Sequence, residues 1–221
     1  MIKVNKNNED FELHYLEHML HHKNLENVFQ YGILSHNEVY RRGIIKEDIS
    51  MSEVQKIRQE KELKINNDLT LGIHDFVPLY FNSKNPMLYK RRELQPELVI
   101  LLVSADIIHY STLTDDKFTI FSDGNAGSKD TRFFSGVNKL FNVDFELLFS
   151  GSWNDEDPDI KRENVRKMCS EVLVYPSISV QEIIKIICPN DDMYEYVTNL
   201  QSSLGSKIAH INVEVQDSYF F

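Results

Sequence analysis

The sequence predicts a mixed α+β fold in a single domain that spans residues 1–221. Three observations support this prediction. Residues 97–103 predict a strand, and the continuous apolar run from Leu98 to Val103 is typical of a strand buried on both faces. Residues 191–204 have the pattern of a helix that ends before Gly205. No internal repeat or low-complexity linker divides the chain, and 221 residues suit one domain.

Composition places the chain among ordinary globular proteins, with 42% hydrophobic and 26% charged residues. No apolar run approaches the roughly 18 residues of a membrane span. The first residues lack the apolar region of a secretory signal. The two cysteines, Cys169 and Cys188, are too few for a disulfide framework or a metal-ligand set. We therefore expect a cytoplasmic protein with no membrane partner.

The net charge of −10 argues against non-specific binding to duplex DNA, because neutralisation of the phosphates requires a basic face. Basic residues nevertheless cluster locally, as in a predicted helix at 161–167. Such a cluster is either a solvated helix face or a local surface for nucleic acid.

The first part of the chain predicts short elements and one long irregular segment. Residues 1–12 are polar, and we expect them to fray. A short amphipathic helix is predicted at 24–31 and ends at Gly32. Residues 37–70 are charged and weakly periodic, and a segment of this kind usually forms a functional loop.

The middle of the chain predicts strands followed by a loop region. The aromatic run 74–81 is extended, and Pro78 places it at a sheet edge or a bulge. Residues 118–121 predict a further strand. The aromatic, acidic and basic segments between residues 122 and 168 form a region that we expect to face the substrate.

The last part predicts a strand at 171–175, a further helix and a final strand. Ser179 and Glu182 have the spacing of a capping box, which predicts a helix at 180–187. The alternating apolar pattern at 208–215 predicts the final strand.

Glu171 is the charged residue at the head of the apolar run 171–175. Glutamate is almost never fully buried unless it is paired. Glu171 therefore either faces solvent at the start of a strand or is held at the wall of a cleft. In the second case we expect its removal to cost little stability.

Four histidines lie within nine residues: His14, His18, His21 and His22. Such a cluster suggests a metal site, but no carboxylate or cysteine lies at a ligand spacing from it. His21 and His22 would also diverge on any regular element. We therefore expect no metal here, and at least one histidine that forms hydrogen bonds in a pocket or core.

Five motifs occur in order along nearly the whole chain. The more specific ones are His-Asp-Phe-Val-Pro-Leu-Tyr-Phe at 74–81, followed by Asn-Pro-Met-Leu-Tyr, and Ser-Glu-Val-Leu-Val at 170–174 after the basic helix. The others lie at 18–25 continued by 32–35, at 131–134 and at 219–221. Together they resemble the DarT-type DNA ADP-ribosyltransferase toxins of the DarT–DarG toxin–antitoxin systems.

The resemblance implies an ADP-ribosyltransferase-like fold, with a central split β-sheet flanked by helices. It implies an enzyme that consumes NAD and transfers ADP-ribose to a nucleobase in single-stranded DNA. The resemblance favours thymine as the acceptor base, because the run at 74–81 closely matches the family motif. Guanine is the alternative base. A toxin of this kind implies a macrodomain antitoxin that reverses the modification. The alternatives are transfer to RNA or protein, or a non-catalytic domain of the same fold that binds NAD or nucleic acid.

The resemblance assigns catalytic roles to Glu171 and Arg58. A fixed carboxylate beside the NAD ribose stabilises an oxocarbenium-like state and helps to take a proton from the accepting base. Arg58 aligns with an arginine that contacts the NAD phosphates and aids catalysis, and its guanidinium suits a bidentate phosphate contact. The alternative for Arg58 is a solvated surface arginine.

The remaining site residues also come from the resemblance. His18 matches the histidine that holds the NAD ribose, with His14 as a competing alignment. Tyr80 matches an aromatic residue of the nicotinamide pocket, and its alternative is core packing. Leu20, which replaces a threonine, and Asn24 complete the cofactor-binding set. The implied substrate-binding residues are Asn125, Arg132 and Tyr89.

Overall fold

The computed structural model describes residues 1–6, 9–50, 52–110 and 117–221. Its strands are β1 (Ile2–Lys6), β2 (Glu9–Leu13), β3 (Tyr15–His21), β4 (Ile33–Leu34), β5 (Glu62–Lys64), β6 (Thr70–Gly72), β7 (Val77–Tyr80), β8 (Leu98–Ser104), β9 (Phe118–Ser122), β10 (Phe133–Phe134), β11 (Glu171–Tyr175), β12 (Ser177–Ile178), β13 (Ile183–Cys188) and β14 (Asn212–Val215). Its α-helices are α1 (Leu25–Tyr31), α2 (His36–Arg42), α3 (Ser52–Gln59), α4 (Pro86–Lys90), α5 (Phe145–Phe149), α6 (Pro158–Lys167) and α7 (Asp191–Leu204).

One large sheet organises the described part of the chain, with eight strands in the order β10-β9-β11-β7-β3-β8-β13-β14. Strand β8 lies inside this sheet between β3 and β13, and its residues from Leu98 to Val103 are buried. The apolar run therefore predicted a two-sided buried strand correctly. Helices α1 to α7 complete the mixed α+β fold that we expected.

The sheet is split between β3 and β7. These two strands pair only at Glu17 and Tyr80, whereas β3 pairs with β8 along all seven of its residues. Pro78 lies in β7 and has no amide proton to donate. Its carbonyl accepts a hydrogen bond from His18 Nδ1 at 2.9 Å. The prediction of an edge position for Pro78 was wrong, because the interrupted ladder accommodates proline in an inner strand.

Two other predictions fail because apolar residues pair across strands. Residues 2–6 and 9–13 form the antiparallel pair β1 and β2 instead of a frayed terminus, since Ile2, Val4 and Leu13 are buried in the core. The predicted helix at 180–187 is a single 3₁₀ turn followed by β13. The Ser179 hydroxyl accepts from the Gln181 amide, but the β-branched run that follows pairs with β8.

The charged segment 37–70 is not a loop throughout. It contains α3, most of α2, the strand β5 and the first residue of β6, which pairs with β5. The helix predicted at 191–204 is confirmed as α7, and the final strand is shorter than predicted because a 3₁₀ turn occupies residues 206–208. Within the described ranges, none of the helices combines the length and apolarity needed to cross a bilayer.

Candidate active site

A cavity of about 680 Å³ opens where the sheet splits. Its wall is formed by β3, β7 and the start of β11, with contributions from residues 36–50 and 54–58, from the loop after β9 and from α6. A volume of this size is typical of small-molecule and cofactor sites.

Glu171 lies in this wall and is only 1% exposed. Arg58, from α3, donates Nη1 to both carboxylate oxygens at 2.9 and 3.1 Å, and Nη2 to Oε2 at 3.1 Å. The amide of Ala126 donates to Oε1 at 3.0 Å. The interpretations of Glu171 as a solvated strand end and of Arg58 as a solvated surface residue were therefore wrong. Burial alone would lower the pKa of Arg58, but the charge and hydrogen bonds of Glu171 raise it.

The loop after β9 positions the Ala126 amide. The Ser122 hydroxyl accepts from the Glu171 amide at 3.0 Å and donates to the Gly124 carbonyl at 2.6 Å. Arg166, on α6, contacts the Asp123 carboxylate at 3.1 Å and so ties this loop to the helix. Sequence reasoning did not identify these supporting contacts, because they join segments that are more than 40 residues apart.

Tyr80 is directly opposite Glu171 in the register of β7 and β11, and it lines the cavity. Burial, and then the charge of Glu171, raise the pKa of Tyr80 well above its ordinary value. Its hydroxyl is therefore neutral and is available as a hydrogen-bond donor.

His18 lines the cavity beside the split in the sheet. Burial lowers its pKa, although the Pro78 carbonyl opposes this shift, and the ring is neutral at pH 7. Because Nδ1 donates to Pro78, Nε2 is the acceptor nitrogen. His14 lies outside the cavity lining and is exposed, with Nε2 at 3.6 Å from the Glu12 carboxylate.

Leu20 and Asn24 also line the cavity. The Asn24 side chain is engaged with the segment after α2: its amide nitrogen donates to the Glu47 carbonyl at 2.6 Å, and its oxygen accepts from the Lys46 amide at 2.9 Å. Asn24 therefore holds this segment against the cavity.

Two histidines with adjacent rings, His36 and His74, line the cavity, and the pair was not identified from the sequence. The ring centroids are 4.1 Å apart, and His74 Nε2 donates to Gln55 Oε1 at 2.6 Å. Burial, followed by the charges of His36 and Arg58, lowers the pKa of His74 to about 4. The two histidines are far apart in sequence, so no local motif could have indicated the pair.

Cys169 lines the same cavity, but its chemistry does not suit a nucleophile. Burial, and then the charge of Glu171, raise the pKa of the Cys169 thiol to about 12. A reactive cysteine needs a thiolate, so the carboxylate is the better candidate for the catalytic group.

The three predicted substrate-binding residues do not lie together. Asn125 lines the cavity, and its side-chain oxygen accepts from the Gly127 amide at 2.8 Å. Arg132 lies outside the lining, with a 72% exposed side chain and its Nε at 2.8 Å from the Asp123 carboxylate. Tyr89 lines a second cleft of about 460 Å³.

This second cleft is aromatic and basic. Tyr89, Trp153 and Phe221 contact one another edge to face, with ring centroids 5.3 to 5.9 Å apart. Arg92 lies 5.2 Å from the centroid of the Tyr89 ring, and Lys84 lies 5.3 Å from that of Phe221. We call this group the aromatic cleft.

A split sheet with a fixed, buried carboxylate at the wall of its cleft is the arrangement that the sequence resemblance led us to expect of an ADP-ribosyltransferase. A family model described as "ssDNA thymidine ADP-ribosyltransferase, DarT" matches residues 17–221. The chain therefore belongs to the DarT family of DNA ADP-ribosyltransferases.

Similar proteins agree with this assignment. A DNA ADP-ribosyl transferase–DNA ADP-ribosyl glycohydrolase fusion protein of Thermosipho africanus is 28% identical over 215 residues. The match covers 95% of this chain and 49% of that protein, so the chain spans about half the length of the fusion. The structure of Thermus sp. 2.9 DarT in complex with ADP-ribosylated ssDNA superposes with a TM-score of 0.81 at 21% identity over all of both chains. The same protein in complex with NAD+ gives 0.74 at 21% identity, over 96% of this chain and 99% of that one.

Proposed function

We propose that this protein transfers ADP-ribose from NAD to thymine in single-stranded DNA. The observation that carries the proposal is the buried Arg58–Glu171 pair in the wall of the cavity, with the Ala126 amide fixed on the same carboxylate. Thymine is supported by the description of the matching family. NAD and single-stranded DNA are supported by the complexes of the Thermus relative.

The reaction breaks the bond between the ribose C1″ and the nicotinamide nitrogen and forms a bond between C1″ and a nitrogen of the base. Nicotinamide leaves with the electron pair of the broken bond, and positive charge develops on the ribose. Glu171 stabilises this charge beside the 2″-hydroxyl. The base nitrogen loses its proton as the new bond forms, and Glu171 or water accepts it.

Arg58 acts mainly as a positioning residue in this proposal. Its Nη1 and Nη2 hold the Glu171 carboxylate in one orientation, and such bidentate pairing adds geometric specificity. We assign the guanidinium N–H groups that Glu171 does not use to the NAD diphosphate.

The other cavity residues bind NAD. We assign His18 Nε2, an acceptor, to a hydroxyl of the NAD ribose, and the Tyr80 ring to the nicotinamide. Asn24 contributes by holding the segment after α2 against the cavity, and Leu20 offers an apolar contact in the cavity wall.

Single-stranded DNA is the acceptor that best fits the surroundings of the cavity. Unpaired bases are accessible without extrusion from a duplex, and they stack on exposed aromatic rings. We propose that the reacting thymine enters near Asn125, while Arg132 and the aromatic cleft around Tyr89 contact flanking nucleotides. The local basic groups then compensate for the overall charge of −10.

Incubation with NAD and short oligonucleotides, followed by intact mass analysis, tests the proposal. We expect one added ADP-ribose on single-stranded DNA that contains thymine. Oligonucleotides without thymine, RNA of the same sequence and duplex DNA should stay unmodified. Glu171→Gln should lower the rate by about 10²- to 10³-fold.

The other outcomes separate the remaining candidates. Modification of guanine or of RNA would overturn the thymine assignment or the DNA assignment. Binding of NAD without transfer to any nucleic acid would favour a protein acceptor or a non-catalytic domain.

We further propose that the enzyme acts as a cytoplasmic toxin and is opposed by a macrodomain glycohydrolase. The support is the Thermosipho relative, which joins a transferase and a glycohydrolase in one chain. Expression of the wild-type protein should arrest growth, and Glu171→Ala should abolish this effect. Growth arrest that persists in Glu171→Ala would contradict the toxin assignment.

A further inference from the structure

Three donor groups converge at the junction of β3 and β8. His21 Nε2 lies 3.2 Å from Glu97 Oε2, and the rings of His21 and His22 stack with centroids 4.7 Å apart. One ligand atom from each of the three side chains lies within 4.8 Å of the others. In the described ranges this is the only group of three histidine, cysteine or acidic side chains that meets that distance.

The backbone fixes this arrangement. His21 is the last residue of β3 and pairs in register with Leu98, so Glu97 comes directly alongside it. β3 ends at His21, and His22 begins a 3₁₀ turn, which brings the two rings onto the same side. The sequence argument that adjacent histidines diverge was therefore wrong, because the regular element ends between them.

Hydrogen bonds prepare His22 as a ligand. Its Nδ1 lies 3.1 Å from the Glu97 carbonyl oxygen, so Nδ1 carries the proton and Nε2 is the acceptor nitrogen. Histidines that bind metals usually donate their other ring nitrogen in this way. The ring of Tyr196 packs edge-on against His22 at 4.9 Å and limits its rotation.

We propose that His21, His22 and Glu97 bind a divalent transition-metal ion, and that Zn²⁺ is the best fit. Two imidazoles and one carboxylate suit zinc, which binds each donor at about 2.0–2.2 Å and takes a water molecule as its fourth ligand. Tetrahedral bonds of that length separate the donor atoms by about 3.3 Å. The 3.2 Å between His21 Nε2 and Glu97 Oε2 already fits, and the ligand atom of the partly exposed His22, which lies within 4.8 Å of those of the other two, must approach them further when the ion binds.

The proton balance of the site is simple. The Lys23 amide donates to His21 Nδ1 at 3.3 Å, so the His21 proton is on Nε2 and faces Glu97. When the metal binds Nε2, this proton moves to Nδ1, and the hydrogen bond from the Lys23 amide is lost. The imidazole ring therefore releases no proton to solvent. The Lys23 ammonium group is paired with Glu47 at 3.4 Å. The bound ion would fasten the end of β3 to the start of β8 beside the cavity, which His21 also lines.

Calorimetric titration of the full chain, free of any affinity tag and stripped with EDTA, tests this site. We expect one Zn²⁺ per chain and no binding of Mg²⁺, which prefers oxygen ligands. His22→Ala and Glu97→Gln should each weaken Zn²⁺ binding at least about tenfold. Both side chains are partly exposed or exposed, so the variants should fold.

His14→Ala is the matched control, because His14 also has a glutamate 3.6 Å away but has no second imidazole in that ion pair. It should bind Zn²⁺ like the wild type. Absorption by Co²⁺ in place of Zn²⁺ reports the geometry, and the bands of a tetrahedral site should vanish in His22→Ala. Zinc binding that is absent, or equal in wild type, His22→Ala and Glu97→Gln, would overturn the proposal. The titration does not depend on transferase activity, so its failure is distinct from failure of the proposed function.

Discussion

At the scale of single residues, the buried pair of Glu171 and Arg58 dominates both stability and chemistry. From the sequence we expected that removal of a carboxylate at a cleft wall would cost little stability. In the structure it neutralises an arginine that is itself only 8% exposed. Loss of one partner leaves an uncompensated buried charge, and this desolvation penalty exceeds the loss of the contact itself.

Glu171→Ala should therefore lower the free energy of unfolding by about 3 kcal/mol or more. In the double variant Arg58→Ala/Glu171→Ala, the loss should be smaller than the sum of the two single losses by about 1–3 kcal/mol. Urea denaturation of the four proteins measures this coupling. Additive losses would mean that the pair contributes no coupling energy to the fold.

His74 should make stability depend on pH. Its pKa in the folded protein is about 4, below the ordinary value of 6.5, because of burial and the charges of His36 and Arg58, with Asp75 and Asp48 opposing the shift. Between these two pH values the unfolded chain binds more protons than the folded one. Stability is therefore present above pH 6.5 and is lost as the pH falls towards 4.

The variant His74→Gln should lose less stability than the wild type between pH 7 and pH 5. Urea denaturation at pH 7, 6 and 5 provides the measurement. His109→Gln, at an exposed position, should keep the slope of the wild type. An equal slope in His74→Gln would show that this histidine is not the source.

At the scale of elements, Gly32 decides how α1 connects to the strand that follows it. Its φ is +79°, and a Cβ at this position would collide with the carbonyl oxygen of Ile178 in β12. Ile178 pairs with Ile33 in β4, so the close approach belongs to the strand pairing itself. Glycine here supplies both the left-handed conformation and the missing side chain.

Gly32→Ala should cost about 3 kcal/mol or more, since backbone strain and overpacking add. Gly43 is a matched control: its φ is +65°, but a Cβ there would meet nothing within 4 Å. Gly43→Ala should therefore cost only about 1 kcal/mol. The two variants are compared by urea denaturation, and equal losses would contradict the steric argument.

At the scale of the whole molecule, charge and exposed rings are distributed unevenly. The chain carries −10 overall, yet the aromatic cleft combines three rings with cations above two of them. Base stacking on aromatic side chains is worth about 1–3 kcal/mol per base. This surface is therefore suited to holding single-stranded DNA while the cavity holds NAD.

Tyr89→Ala should raise the KM for single-stranded DNA about tenfold and leave the KM for NAD unchanged. Tyr31→Ala is the matched control, because Tyr31 is similarly exposed and has the Arg42 guanidinium 5.4 Å from its ring centroid. Steady-state kinetics with each substrate varied in turn gives both constants. An unchanged KM for DNA in Tyr89→Ala would exclude the aromatic cleft from the DNA path.

The sequence by itself determined the fold class, the buried strand β8, the helix α7 and the family, because periodicity, capping residues and ordered motifs are local properties. It also identified candidate catalytic and NAD-binding residues, namely Glu171, Arg58, His18 and Tyr80. Their roles remain predictions. It failed at 180–187, where a local cap signal was overridden by strand pairing.

Only the tertiary structure decided how the distant groups pair. Arg58 and Glu171 are 113 residues apart, and Glu97 is 76 residues from His21. Hydrogen bonds and ion pairs depend on distances of about 3 Å between atoms, and local sequence patterns carry no information on such distances across the chain. The register of β3 and β8 brings Glu97 beside His21, and the packing of α3 against the start of β11 brings Arg58 to the buried Glu171.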